Sequence, residues 1–445
     1  MRLAEPGASS GWGGTHLLRA LRSRNYRLYF FGQGVSLVGT WMTTIATSWL
    51  VYRLSGSVIL LGIVGFSGQI PAFLFAPFAG VLVDRWNRHR LLVIAQVLAM
   101  LQSLALAALA LTGIITVGHI IALSIVQGIV NAFDIPARQA FVVEMVEDPE
   151  DLGNAIALNS SIFNGARLVG PSIAGVLIAG AGEGICFLVD GLSYLAVIAA
   201  LCAMRLASKP RQPEPLPLWR QLREGMAYAY RFAPIKAILA LTALTSLMGI
   251  PYAVLMPVFV REILRGGPHT FGFLMAASGL GALIGAIYLA SRRSVLGLGR
   301  VIPLATSLFG GGLIAFAFSR VLWVSLLLML GIGCGMLVQM AASNTIIQTI
   351  VDEDKRGRVM SFYLMAFMGM MPFGSLLAGG LASRVGAPNT LLIGGVACLL
   401  GALVFSRQLP RLRESIRPIY IKKGILPEVA TGIQAAVNLF VPPEE

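Results

Sequence analysis

A chain of 445 residues with a net charge of +14 gives 56 % of its positions to hydrophobic residues and only 12 % to charged ones, about half the charged share of a soluble domain. That leaves too few polar side chains to cover a water-soluble protein of this length, and the apolar residues fall in charge-free runs, as at 30–51, 54–83 and 91–118. The basic residues sit in short segments between those runs and not on one soluble face, which argues for a lipid bilayer and against nucleic acid as a partner.

A helix rises about 1.5 Å per residue, so roughly 20 apolar residues cross the ~30 Å hydrocarbon layer. On that scale the chain is expected to open with a cytosolic segment, 1–27, too polar and basic for a cleavable signal. A first six-helix bundle, 28–205, follows, with spans at 28–52, 58–83, 89–113, 117–137, 155–180 and 184–205. The linker, 206–235, is proline-rich at 208–217, and the amphipathic pattern of Trp219, Leu222 and Met226 then predicts a helix lying on the membrane surface. The second bundle, 236–408, has spans at 236–261, 270–291, 299–319, 322–345, 359–384 and 388–408, and 409–445 forms a cytosolic tail. With both termini in the cytosol, the only basic residues in the outside loops are Arg53, Arg261, Arg265, Arg320 and Arg384, and Arg167 alone lies within a span. That asymmetry fixes a multi-pass protein of the inner (plasma) membrane with cytosolic termini.

Polar residues mark positions along these spans. In the first, Gln33, Thr40 and Thr44 either line a cavity or make helix–helix hydrogen bonds worth about 0.6 kcal/mol each; Asn164 and Gln339 read the same way. The turn Gly80-Val-Leu-Val-Asp84-Arg85-Trp-Asn-Arg88-His-Arg90 joins spans two and three. Asp134 and Arg138, closing span four, are four apart and can pair on one helix face, with Pro136 marking an end or a kink. Arg167 stands about midway along span five, where a charge costs ~2.5–3.5 kcal/mol. It should meet a partner: Asp190 of span six, a carboxylate of the substrate, or carbonyls freed by a kink. Gly170, Pro171 and Gly175 allow close helix approach and a bend. The four cysteines and four histidines show no ligand spacing, so no metal, cofactor or catalytic group is expected, and the chain is not read as an enzyme.

The two halves also repeat. A shift of 204 positions aligns Asp148 with Asp352, Gly153 with Gly357, Gly170 with Gly374 and Gly175 with Gly379. Six-helix halves so related point to a transporter with its site where the halves meet.

The ordered turn G-x-L-x-D-R-x-x-R-x-R closely resembles the loop between spans two and three of the major facilitator superfamily. Asp134-Ile-Pro-Ala-Arg138, the stretch from Gly165 to Gly175, Gly39-Thr-Trp-Met42 and Arg356-Gly-Arg-Val-Met-Ser361 resemble its drug:proton antiporter branch of transmembrane secretion effectors, which exports drugs and siderophores. The resemblance covers roughly 20–410. It implies an all-α fold of twelve transmembrane helices in two pseudo-symmetric bundles. The implied activity is export of a small amphipathic molecule by alternating access, with protons as the counter-flow and a monomer as the working unit. It also implies a latch between the halves at Gly80, Asp84, Arg85 and Arg88, joined by Asp134, Arg138, Gly357 and Arg358. Where many proton-coupled relatives carry an acid midway in span one, this chain has Thr40, so the first half offers no evident mid-depth carboxylate. A lipid or lysolipid flippase of the same fold, or a membrane scaffold or receptor, are the alternatives.

Overall fold

The computed structural model describes residues 18–204, 232–292, 294–423 and 425; the predicted surface helix after Trp219 and most of the tail lie outside the described residues. Among the described residues the chain is helical throughout, without a strand. The spanning helices are α1 (Arg24–Ser55), α2 (Val58–Arg85), α3 (Arg88–Leu111), α4 (Val117–Met145), α5 (Leu152–Ala181) and α6 (Glu183–Cys202). In the second half they are α7 (Ala233–Ile263), α8 (Pro268–Ala290), α9 (Leu298–Phe318), α10 (Leu322–Ile350), α11 (Lys355–Val385) and α12 (Ala387–Lys422). Eleven of these are long and apolar enough to cross a membrane. The twelfth, α1, is longer than most of them, but Gln33 and the threonines at 40, 43, 44 and 47 dilute its apolar run.

Three helices depart from expectation. Helix α4 does not stop near Pro136: it absorbs that proline and runs on to Met145, so Asp134 lies three turns inside the helix and not at its mouth. Helix α7 carries two π-helical turns, Thr245–Gly249 and Phe259–Ile263, local wide turns of the kind that recur at functional sites. Helix α12 continues to Lys422, beyond the span expected to end at 408. Its extension is amphipathic, with Leu409, Leu412, Ile416 and Tyr420 packed on the second half's core while Arg411, Arg413 and Arg417 face outward.

Helix pairing repeats with a step of six. In the first half α1 packs on α6, α2 on α4, and α3 on both α4 and α6; in the second, α7 packs on α12, α8 on α10, and α9 on both α10 and α12. The halves meet through α5 against α8 and α11 against α2, again a matched pair. The glycines related by 204 positions occupy equivalent contacts. Gly170 abuts Val38 and Trp41 of α1, and Gly374 abuts Leu247 and Pro251 of α7. Gly175 touches Gly272 of α8, and Gly379 touches Gly62 of α2.

Burial separates the two ends of the bundle. At the end opposite the termini, both halves share one apolar core, in which Trp49, Leu61 and Phe187 join Tyr252, Met256 and Phe271. At the end that bears the termini there are two cores. One holds Tyr26, Leu92, Phe141 and Val197 of the first half, and the other Ile238, Ile302, Ile347 and Phe405 of the second. The bundle is therefore closed at one end and split at the other. Polar contacts reinforce the closed end: Tyr52 donates to the Glu262 carboxylate across the halves, the Arg261 guanidinium lies 5.8 Å from the Tyr52 ring, and Trp49 stacks on Phe271 at 6.2 Å. Arg53 grips Glu183 through two hydrogen bonds of 2.8 and 3.0 Å.

Replacing Tyr52 by Phe removes the donor to Glu262, and a hydrogen bond to a charged group is worth about 1.5–3 kcal/mol. The expected result is an opening equilibrium at this end shifted by about tenfold. It would be read as faster maleimide labelling of a cysteine placed by Phe271→Cys in the Tyr52→Phe background than in the parent.

Candidate functional site: a polar cleft in the first half

Four helices bring polar side chains to a small void inside the first half. Helix α1 supplies Gln33, Ser36 and Thr40, α3 supplies Gln96, α6 supplies Tyr194, and α4 supplies Gln127, Asn131, Asp134 and Arg138. The α4 residues sit at 127, 131, 134 and 138, the spacing of one helix face. The void measures about 40 Å³, room for a few water molecules and far below an organic ligand.

Asp134, 4 % exposed, is the charge at its centre. It pairs with Arg138 one turn away and accepts a 2.7 Å hydrogen bond from Gln96 Nε2. Gln127 donates to Asn131 at 3.0 Å, while Gln127 Oε1 and Gln96 Oε1 are buried without a hydrogen-bond partner. Thr40 Oγ1 donates to the Ser36 carbonyl at 3.0 Å and stands 3.4 Å from the Tyr194 hydroxyl. Asp134 and Arg138 thus sit in the interior of the first half, and Gln33 and Thr40 share their void.

A second buried carboxylate lies on α6. Asp190 is 2 % exposed, and its Oδ2 accepts from Thr43 of α1 and Ser103 of α3, each at 2.8 Å. Its Oδ1 has no hydrogen-bond partner among the described residues. Gly39 makes room for it, because a Cβ there would lie 2.6 Å from Asp190 Oδ1 and 2.7 Å from Ser193 Oγ. The first half therefore buries the Asp134 and Asp190 carboxylates. The end given to span four put Asp134 at a helix mouth, whereas Asp190 keeps its expected place in the outer half of α6.

Arg167 does not meet Asp190. Helix α1 lies between them: its Gly39 and Thr43 face α6, whereas Val38 and Trp41 face α5. Arg167 is partly exposed and has no ion pair or hydrogen bond among the described residues, and its guanidinium lies 5.8 Å from the Trp41 ring. Close by, Gly170 presses on Trp41, while Pro171 and Gly175 lie against Gly272 of α8. On the same helix Asn164 donates to the Ser160 carbonyl at 2.8 Å, and the exposed Thr44 of α1 donates to the Thr40 carbonyl at 2.9 Å. Gln339 is buried within the second half, 3.5 Å from Ser343, and faces no open surface.

The loop residues divide. The side chains at Gly80, Asp84 and Arg85 lie outside the described residues. Arg88 is buried and joins α3 to the end of α4, donating to the Ala140 carbonyl at 3.0 Å and to Glu144 at 3.1 Å. These contacts lie within one half. Gly357 is exposed with open space around it, and Arg358 is partly buried on the first turns of α11. Gln96, Asn131 and Tyr194 were not singled out in the sequence. Only the period of the α4 stripe could have pointed to Asn131, and nothing local marks Gln96 or Tyr194.

Comparison with known proteins follows the same lines. A family described as transmembrane secretion effector, within the major facilitator superfamily, matches residues 15–425. The chain is 28 % identical over 382 residues to the staphyloferrin A transporter of Staphylococcus aureus, covering 85 % of this chain and 94 % of that protein. It is 28 % identical over 402 residues to the multidrug efflux pump Tap of Mycolicibacterium fortuitum, covering 87 % and 96 %. A bacterial homologue of the iron transporter ferroportin, solved in an inward-facing state, superposes with a TM-score of 0.66 at 17 % identity, over 87 % of this chain and 98 % of that one. At that identity the likeness shows the fold alone.

Proposed function

The chain belongs to the transmembrane secretion effector family of the major facilitator superfamily and is a multi-pass membrane transporter of small molecules; on that premise we propose that it exports an amphipathic organic molecule bearing an anionic group, driven by inward proton flow. The observation that carries this reading is the bundle sealed by one shared core at one end and split into two cores at the other. A site between halves that close alternately at either end is the geometry of alternating access. With the termini in the cytosol, this conformation is open to the cytosol and ready to load substrate for export. The bundles, 28–205 and 236–408, rock about the α5–α8 and α2–α11 contacts as a monomer.

Arg167 supports the anionic part of the reading. A guanidinium within a membrane span, partly exposed and lacking any protein counter-ion among the described residues, offers an unmatched positive charge to a substrate carboxylate. Asp134 and Asp190 supply the proton-carrying groups. Proton exchange at Asp134 makes and breaks its pair with Arg138, beside a void with room for a few waters. The siderophore transporter and multidrug pump among the relatives are consistent with export of organic molecules.

The test uses everted membrane vesicles energised to an acidic lumen, with carboxyfluorescein as an anionic probe and ethidium as a cationic one. Accumulation of the anionic probe, lost when nigericin collapses the gradient, is expected. Uptake of neither probe above that of vesicles lacking the protein contradicts export of this class. Uptake of ethidium alone refutes the role given to Arg167.

A further inference from the structure

The α12 extension builds a second cavity that transport does not use. It measures about 380 Å³ at the end bearing the termini, against the start of α7, the turn before α9 and the end of α10. Pro234, Ile238, Ile346, Phe405, Leu412 and Ile416 form its apolar wall. Three arginines stand around it, Arg300 from α9 and Arg413 and Arg417 from α12, and none of their side chains has an ion pair or hydrogen bond among the described residues. The position is interfacial. Phe405 belongs to the buried core of the second half, and the following turns of α12 carry exposed arginines from Arg407 to Arg417.

We propose that this groove binds one anionic phospholipid from the leaflet on the side of the termini, its phosphate among Arg300, Arg413 and Arg417 and an acyl chain along the apolar wall. Charge complementarity selects the headgroup. Guanidinium forks match phosphate oxygens bidentately, and these three like charges, with exposed Glu414 the one acid on their stretch of α12 and in no ion pair among the described residues, are stabilised by an anion that joins them. The apolar wall selects a lipid over a free phosphate, which would leave Leu296, Leu409 and Ile416 facing water. A volume of this size also falls within the usual range of ligand sites. Such a lipid ties α12 to α7 and α9, three helices of the second half.

Purified full-length protein, delipidated in detergent and mixed with phosphatidylglycerol or phosphatidylcholine, tests this by native mass spectrometry. Wild type is expected to retain one phosphatidylglycerol at least tenfold more strongly than phosphatidylcholine. The Arg300→Gln/Arg413→Gln/Arg417→Gln variant should lose that preference, with a melting temperature in detergent reporting whether it folds. Ile416→Trp fills the groove without touching its charge and is expected to lower phosphatidylglycerol binding at least threefold, so the claim stays testable if the triple variant fails to fold. Equal retention of both lipids by wild type, or unchanged binding in Ile416→Trp, overturns the proposal. Displacement of the lipid by millimolar inorganic phosphate marks a free-anion site and overturns it too. If phosphatidylglycerol binds only after removal of residues 426–445, that segment occupies the groove and the lipid claim fails.

Discussion

Replacing Asp134 by Asn will destabilise the protein by about 3 kcal/mol and abolish gradient-driven uptake. Asn keeps an acceptor for Gln96 but leaves Arg138 inside the bilayer without its counter-ion. Breaking a buried pair from one side costs about 3–5 kcal/mol, and the residual exposure of Arg138 places the loss at the low end. The double variant Asp134→Asn/Arg138→Gln removes both charges and should recover most of the melting temperature in detergent. It should not recover transport, because no carboxylate then remains in the polar void. Thermal melting and vesicle uptake together separate the two roles. A double variant that transports with wild-type dependence on the pH gradient would reduce the pair to a structural element.

The second large effect is expected at Gly272. A Cβ there would sit 2.4 Å from the Pro171 carbonyl oxygen and 2.9 Å from Gly175 Cα, backbone atoms that cannot rotate away. Gly272→Leu wedges α5 from α8, and overpacking of this kind costs about 1–3 kcal/mol. Gly175 and Gly272 lie at the closed end of the α5–α8 contact, so that cost falls most on the conformation in which that end is shut. The opening equilibrium should therefore move 5- to 150-fold towards the opposite state, seen as increased labelling of the Phe271→Cys site. Pseudo-symmetry predicts the same from Gly379→Leu, whose Cβ meets Gly62 and the Val58 carbonyl. Gly180→Leu on α5, with nothing within 4 Å, should be silent.

Much of this architecture was legible because membrane insertion demands long apolar runs and the repeat left glycines 204 positions apart. Gly170 with Gly374, and Gly175 with Gly379, fall on equivalent helices against equivalent neighbours. What could not be read was tertiary. Pro136 signalled a helix end, but an unwound backbone packed inside the first half would leave its polar groups without partners, so the helix continues and carries Asp134 and Arg138 inward. The carboxylate of Asp190 was visible, but not that Thr43 and Ser103 hold it from two other helices, nor that α1 walls it off from Arg167. Likewise the α12 extension reads as a polar tail until its leucines and isoleucine are seen against the second core.

The central claim is that the two halves alternate between sealing one end and the other. Pulsed dipolar spectroscopy on spin labels at two pairs of exposed sites tests it most directly. The first pair is Ala181 with Val385 at the closed end, and the second is Asp148 with Glu353 at the end bearing the termini. The account predicts reciprocal changes when the pH is lowered or Gly272 is replaced by Leu, the first distance growing as the second shrinks. Two distances that stay fixed, or that lengthen together, would contradict it.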